Sequence, residues 1–185
     1  MPDTFFGLQL ALDLPRGHRL RAQLARLVRD IRAAAGQPPA MLRPLWTQWS
    51  DALIAAVPSA TLATWDLIRD RGAAEYEDWA SGLEAMATWP EADFGRGGTL
   101  LLATTIILVA ADSNADRTLG DLCDLPEAQW HQRATYRRLA AAPPQLNGTN
   151  VLGCGCYLAP HPEQATGFAP EVLAGEGFEY LTPPT

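Results

Sequence analysis

The chain has 185 residues, 48% of them apolar, which suits one folded domain with a real core and argues against disorder. Its 14 basic residues are all arginine, which excludes a Schiff-base lysine, a P-loop lysine and a Ser-Lys dyad. A net charge of -7 repels phosphate backbones and argues against general nucleic-acid binding.

The chain opens Met1-Pro2-Asp3 without a basic stretch, and Asp13 follows the first apolar run, so no secretory signal is expected. With only three cysteines, this points to the cytoplasm and reduced thiols. Phe6, Leu8, Leu10, Leu12 and Leu14 alternate, predicting a strand over 5–14 that Pro15 and Gly17 end. A helix is expected over 19–35, with Leu20, Leu24, Leu27, Val28 and Ile31 on one stripe and arginines opposite. Among those arginines, Arg26 and Arg29 are candidate ligands for an anion.

Helical spacing continues over 41–57, with Trp46, Trp49 and Leu53 inward and Pro58 as a stop. Leu62, Trp65 and Ile68 predict a helix over 60–70, broken at Gly72. Tyr76, Trp79, Leu83, Met86 and Trp89 predict another over 73–89. Gly95-Arg96-Gly97-Gly98 then precedes an apolar run, Leu100 to Ala111, read as a buried core helix. Backbone N–H groups at the start of such a helix, with Arg96 beside them, are a candidate anion site. As a helix the run reaches under ~20 Å, short of a ~30 Å hydrocarbon core, so no membrane span is expected.

Asp112, Asn114 and Asp116 have the spacing of a calcium loop. Arg117 stands where that loop needs glycine, and Cys123 where it needs a bidentate acid, so Asx-type turns and a helix C-cap are the better reading. A last helix is expected over 126–141, closed by Pro143-Pro144. The Gly- and Pro-rich tail offers strands at Val151–Leu158 and Phe178–Leu181. Both are expected to pair with the N-terminal strand, whose ladder hydrogen bonds the helices cannot satisfy.

Chemistry concentrates at Gly153-Cys154-Gly155-Cys156. In a strand the two thiols share a face, where they could hold zinc or copper(I) or form a redox pair. Cys123 and His161 would complete a four-ligand set. As a nucleophile, Cys154 or Cys156 needs His131 or His161 as base, oriented by Asp124 or Asn150. A lone C-x-C lacks the second pair that makes a zinc motif specific, so no cofactor is predicted. The six tryptophans, with Glu75, Glu77, Asp78 and Glu84 near them, suggest an acidic, aromatic surface for a basic protein partner.

These observations predict a single α+β domain: a predominantly helical bundle of about six helices with a small sheet from the two chain ends. The helical body runs from about 19 to 142, and the tail from about 143 packs on strand 5–14. The expected function is a non-catalytic cytosolic protein that binds another protein, as adaptor, accessory subunit or immunity-type inhibitor. The alternative is a small metal- or thiol-dependent enzyme or ligand-binding protein with its site at Cys154-Gly155-Cys156.

Overall fold

The computed structural model describes residues 3–146, 148–160 and 167–185. Among them, four antiparallel strands form one sheet: β1 (Asp3–Asp13), β2 (Ala60–Ile68), β3 (Leu100–Ala110) and β4 (Val151–Ala159), in the order β2-β1-β3-β4. Helices cover both faces. One face carries α1 (Arg19–Ala33), α2 (Pro39–Ala56), α4 (Asn114–Cys123), α5 (Arg133–Ala140) and the single turn α6 (Ala142–Gln145). The other carries α3 (Gly72–Met86) and, after a short turn α7 (Pro170–Leu173), the C-terminal segment. The α+β class is as expected, but the centre is a sheet and not a helical bundle.

The N-terminal strand forms where the alternation placed it. Leu8, Leu10 and Leu12 enter the larger core beneath α1 and α2, while Phe5 and Ala11 face α3 and the tail. Its partners differ from those expected. β1 lies between β2 and β3, and the tail strand β4 pairs with β3 instead. Phe178–Leu181 is a turn, closed by the Leu181 N–H donating to Phe178 O at 2.9 Å, and the tail bridges to the sheet through Phe168 at Leu100 and Thr182 at Ala63.

Two expected helices are strands. Over 60–68 the spacing of Leu62, Trp65 and Ile68 fits a helix, yet in the sheet they divide between its faces, Trp65 on the α1 side and Leu62 opposite. Over 100–110 a continuous apolar run fits either a buried helix or a strand buried on both faces. Thr104, Thr105, Ile106, Ile107 and Val109 are β-branched and favour the strand. β1 then pairs with that run over its whole length, from Asp3 opposite Ala110 to Asp13 opposite Leu100.

The segment read as a polar turn over 112–118 instead starts α4. The Ser113 hydroxyl accepts the Asp116 N–H at 3.1 Å, an N-cap where a C-cap was expected. The calcium spacing is therefore structural: the Asp116 carboxylate accepts from the Thr4 hydroxyl at 2.9 Å and the Asp112 N–H at 3.0 Å, and pairs with Arg69 at 3.6 Å. The helix expected over 126–141 is a 3₁₀ turn (Glu127–Gln129) followed by α5, and Pro143-Pro144 lie inside α6. Arg133 fastens α5 to the turn before β2, donating to Val57 O, Pro58 O and Ala60 O at 2.9, 3.2 and 3.1 Å.

Leu10 is fully buried at the middle of β1. Leu10→Ala should cost roughly 2–5 kcal/mol in urea unfolding. A loss well under 1 kcal/mol would mean the residue is not in a packed core.

Candidate functional site

A cavity of about 620 Å³ opens between α3, the C-terminal segment and the face of β1 and β2 beneath them. Its floor is Gln9, Thr64 and Asp66. Gln9 is the one polar residue among Phe5–Leu12, and it is almost wholly buried. Both ends of its amide are held: Nε2 donates to the Thr104 hydroxyl at 2.9 Å, and Oε1 accepts from the Tyr180 hydroxyl at 3.0 Å. Because a buried amide without partners is costly, this chain of bonds fixes Tyr180 against the sheet.

The walls are aromatic. Trp79 and Trp89 come from α3 and its end, and Phe178 and Tyr180 from the C-terminal segment. Trp79 stacks obliquely on Phe5 with ring centres 5.3 Å apart, over Gly7. A methyl group at Gly7 would lie 2.9 Å from both rings, so glycine is what lets the indole sit against β1. Trp89 meets Phe178 edge to face at 6.3 Å, joining α3 to the tail.

Four carboxylates complete the lining: Asp66, Glu75, Asp78 and Glu176. Among the described residues no basic one lines it; Arg71 stands beside it and pairs with Glu75 at 2.5 Å. The Asp66 carboxyl is raised above its ordinary range, first by partial burial and also by Glu75, against the lowering effects of the Leu67 backbone and Arg71. Such a site favours positive charge, and its aromatic faces add attraction for a flat or alkylated cation.

A second cavity of about 340 Å³ lies on the opposite face of β2. Trp65, Leu67, Trp130 and Tyr136 wall it, with Cys123 and His131 at its side. The His131 ring Nδ1 is hydrogen-bonded to the Thr182 hydroxyl at 3.0 Å. Burial pushes the Cys123 thiol up to about 12, in spite of Arg138 and Arg69, so this Cys–His neighbourhood holds a neutral thiol and no thiolate.

Cys154 and Cys156 do share a face, towards α1, opposite Ile107 and Thr105 of β3. Cys156 is buried, and burial followed by the neighbouring Cys154 thiol raises it well above the usual thiol range. His131 lies in the second cavity with Cys123, while His161 falls outside the described residues. Asp124 follows α4 and Asn150 precedes β4, and neither hydrogen-bonds His131. Among the described residues no three His, Cys, Asp or Glu side chains gather as metal ligands.

The Gly95–Gly98 loop leads into β3, not into a helix, so it presents no helix N-terminus to an anion. Gly98 serves packing, since a methyl group there would meet the Phe168 backbone at 2.2 Å, Gly97 takes a positive φ of 69° in open space, and Arg96 is exposed. Arg26 and Arg29 lie on the exposed side of α1 and line none of these cavities. Of the flanking acids read from the sequence, Glu75 and Asp78 reach the large cavity, and Glu77 and Glu84 do not line it. Asp66, Glu176 and Tyr180 were not foreseen as site residues. No family model, curated protein or solved structure matches the chain.

In the native protein at pH 8, half-exposed Cys154 should react first with a thiol reagent, and Cys156 and Cys123 slowly. Because the folded-state pKa of Cys123 is raised from 9.0 to about 12, its contribution to stability is complete below pH 9 and lost as pH climbs towards 12. Urea midpoints taken across that window should fall less steeply for Cys123→Ala than for the wild type; equal slopes would mean Cys123 is not desolvated.

Proposed function

We propose that the protein is a non-catalytic, cytosolic binding protein that captures a basic segment of another protein, as an adaptor, accessory subunit or immunity-type inhibitor. The observation that carries this reading is the large cavity, where four carboxylates and four aromatic rings converge with no basic lining residue among the described residues. An Arg or Lys side chain entering it would exchange water for the carboxylates and the rings of Trp79 and Trp89. Its polar floor is pre-arranged by the Thr104–Gln9–Tyr180 hydrogen bonds, so little ordering remains to oppose binding. A thiol- or metal-dependent enzyme at Cys154-Gly155-Cys156 has less support, because Cys156 is buried with a raised thiol and His131 bonds Thr182.

Titration calorimetry with an Arg-rich peptide checks the reading. Glu75→Gln with Asp78→Asn should weaken binding by about tenfold, and Trp79→Ala by a similar amount. Affinity should also drop on raising salt from about 50 to about 500 mM. As pH falls through the elevated pKa of Asp66, that carboxylate loses its charge and affinity should fall with it. A Glu-rich peptide binding equally well would overturn the proposal.

A further inference from the structure

β2 is an outer strand of the sheet, and its free edge is only partly covered. At Ala63 both backbone groups are taken by the tail: the Ala63 N–H donates to Thr182 O at 2.8 Å and the Thr182 N–H to Ala63 O at 3.0 Å. Backbone groups alternate along an antiparallel strand, so Trp65 and Leu67 also turn their N–H and C=O outward. Among the described residues no neighbouring strand meets them, although the Leu67 N–H already interacts with the Asp66 carboxylate. The tail departs on one side through the Phe178–Leu181 turn. On the other it is tied to α5, where the Thr185 N–H donates to His131 O and the Arg133 N–H to Thr185 O, each at 2.8 Å.

The open stretch 64–67 is also where the two cavities meet. Thr64 and Asp66 line both of them, and Trp65 and Leu67 line the second. One cavity thus flanks each face of the same edge, where no strand is paired among the described residues. A strand laid along it would send alternate side chains to opposite faces. One set would enter the acidic, aromatic cavity, and the other the cavity walled by Trp65, Trp130 and Tyr136.

We infer that the partner binds by strand addition: an extended segment pairs with the Thr64–Leu67 edge of β2 as a fifth strand, with alternating basic and apolar side chains. The charge of the first cavity selects the basic set, and the aromatic walls of the second select the apolar set. Main-chain hydrogen bonds supply affinity and the two cavities supply sequence preference. This inference rests on the cation-binding reading above and adds the backbone geometry to it.

The probe is acetyl-Val-Arg-Val-Arg-Val-Arg-amide, together with two variants N-methylated at one or other of the two central residues. In strand addition only every second N–H faces β2. One N-methyl peptide should therefore bind about tenfold more weakly while its neighbour binds within about twofold of the parent. Saturating parent peptide should also slow hydrogen exchange at the Trp65 amide by about tenfold. If both N-methyl peptides bind like the parent while Glu75→Gln with Asp78→Asn weakens all three, cation capture stands and strand addition is overturned. If the parent fails to bind but arginine amide does, strand addition again falls alone. If neither binds, both proposals fall. A protein that sediments as a dimer the peptide cannot dissociate, with Trp65 protected, would assign the edge to a second copy of the chain and overturn the inference.

Discussion

The structure depends on the ladder between β1 and β3. These two central strands are buried on both faces, so every N–H and C=O along them needs a partner that water cannot supply. The unbroken register from Asp3–Ala110 to Asp13–Leu100 meets half of that need, and β2 and β4 meet the rest from the outer sides. Leucines on one face and Phe5, Gly7, Gln9 and Ala11 on the other then demand helices on both sides. Hydrogen bonds across the layers tie those helices to the ladder, as where the Trp49 indole N–H donates to the Thr105 hydroxyl at 2.8 Å.

The candidate site follows from this arrangement. On the second face of the sheet, the end of α3 and the C-terminal segment meet through aromatic rings. The gap between them becomes the large cavity, and its floor is the sheet itself. Gln9 is tolerated in a buried central strand because Thr104 and Tyr180 satisfy it. The same bonds draw the last residues of the chain over the cavity and end at the Thr182 bridge. Fold, cavity wall and the partly open edge of β2 are therefore one set of interactions.

The thiols illustrate how a sequence signal can be right in geometry and different in chemistry. Alternation placed Cys154 and Cys156 on one face, and the structure agrees. What alternation could not reveal was which face. That face is covered by α1, so burial keeps Cys156 protonated and makes it a small core residue. The acidic run along α3 was legible as a charged, aromatic surface because helical spacing shows which residues lie side by side. Asp66 and Glu176 were not legible as its companions, because they come from a strand edge and a tail that no local pattern brings together.

By itself the sequence determined the local features that arise between near neighbours: the alternating β1, the amphipathic stripes of α1, α2 and α3, the β4 strand, and the absence of lysine chemistry. It also determined net charge and the acid and tryptophan content of α3. Tertiary structure alone decided whether the ambiguous runs 60–68 and 100–110 would be helix or strand. Their side-chain spacing is compatible with both, and the choice is made by the hydrogen bonds β1 must receive from each side. It likewise decided that β4 pairs with β3, that Asp116 serves as a buried structural anchor, and that four distant carboxylates share one cavity. Each of these depends on contacts between residues far apart in the chain, and the physical reason is the same: a backbone buried in a sheet must be paired, and the partners that satisfy it are set by the whole molecule.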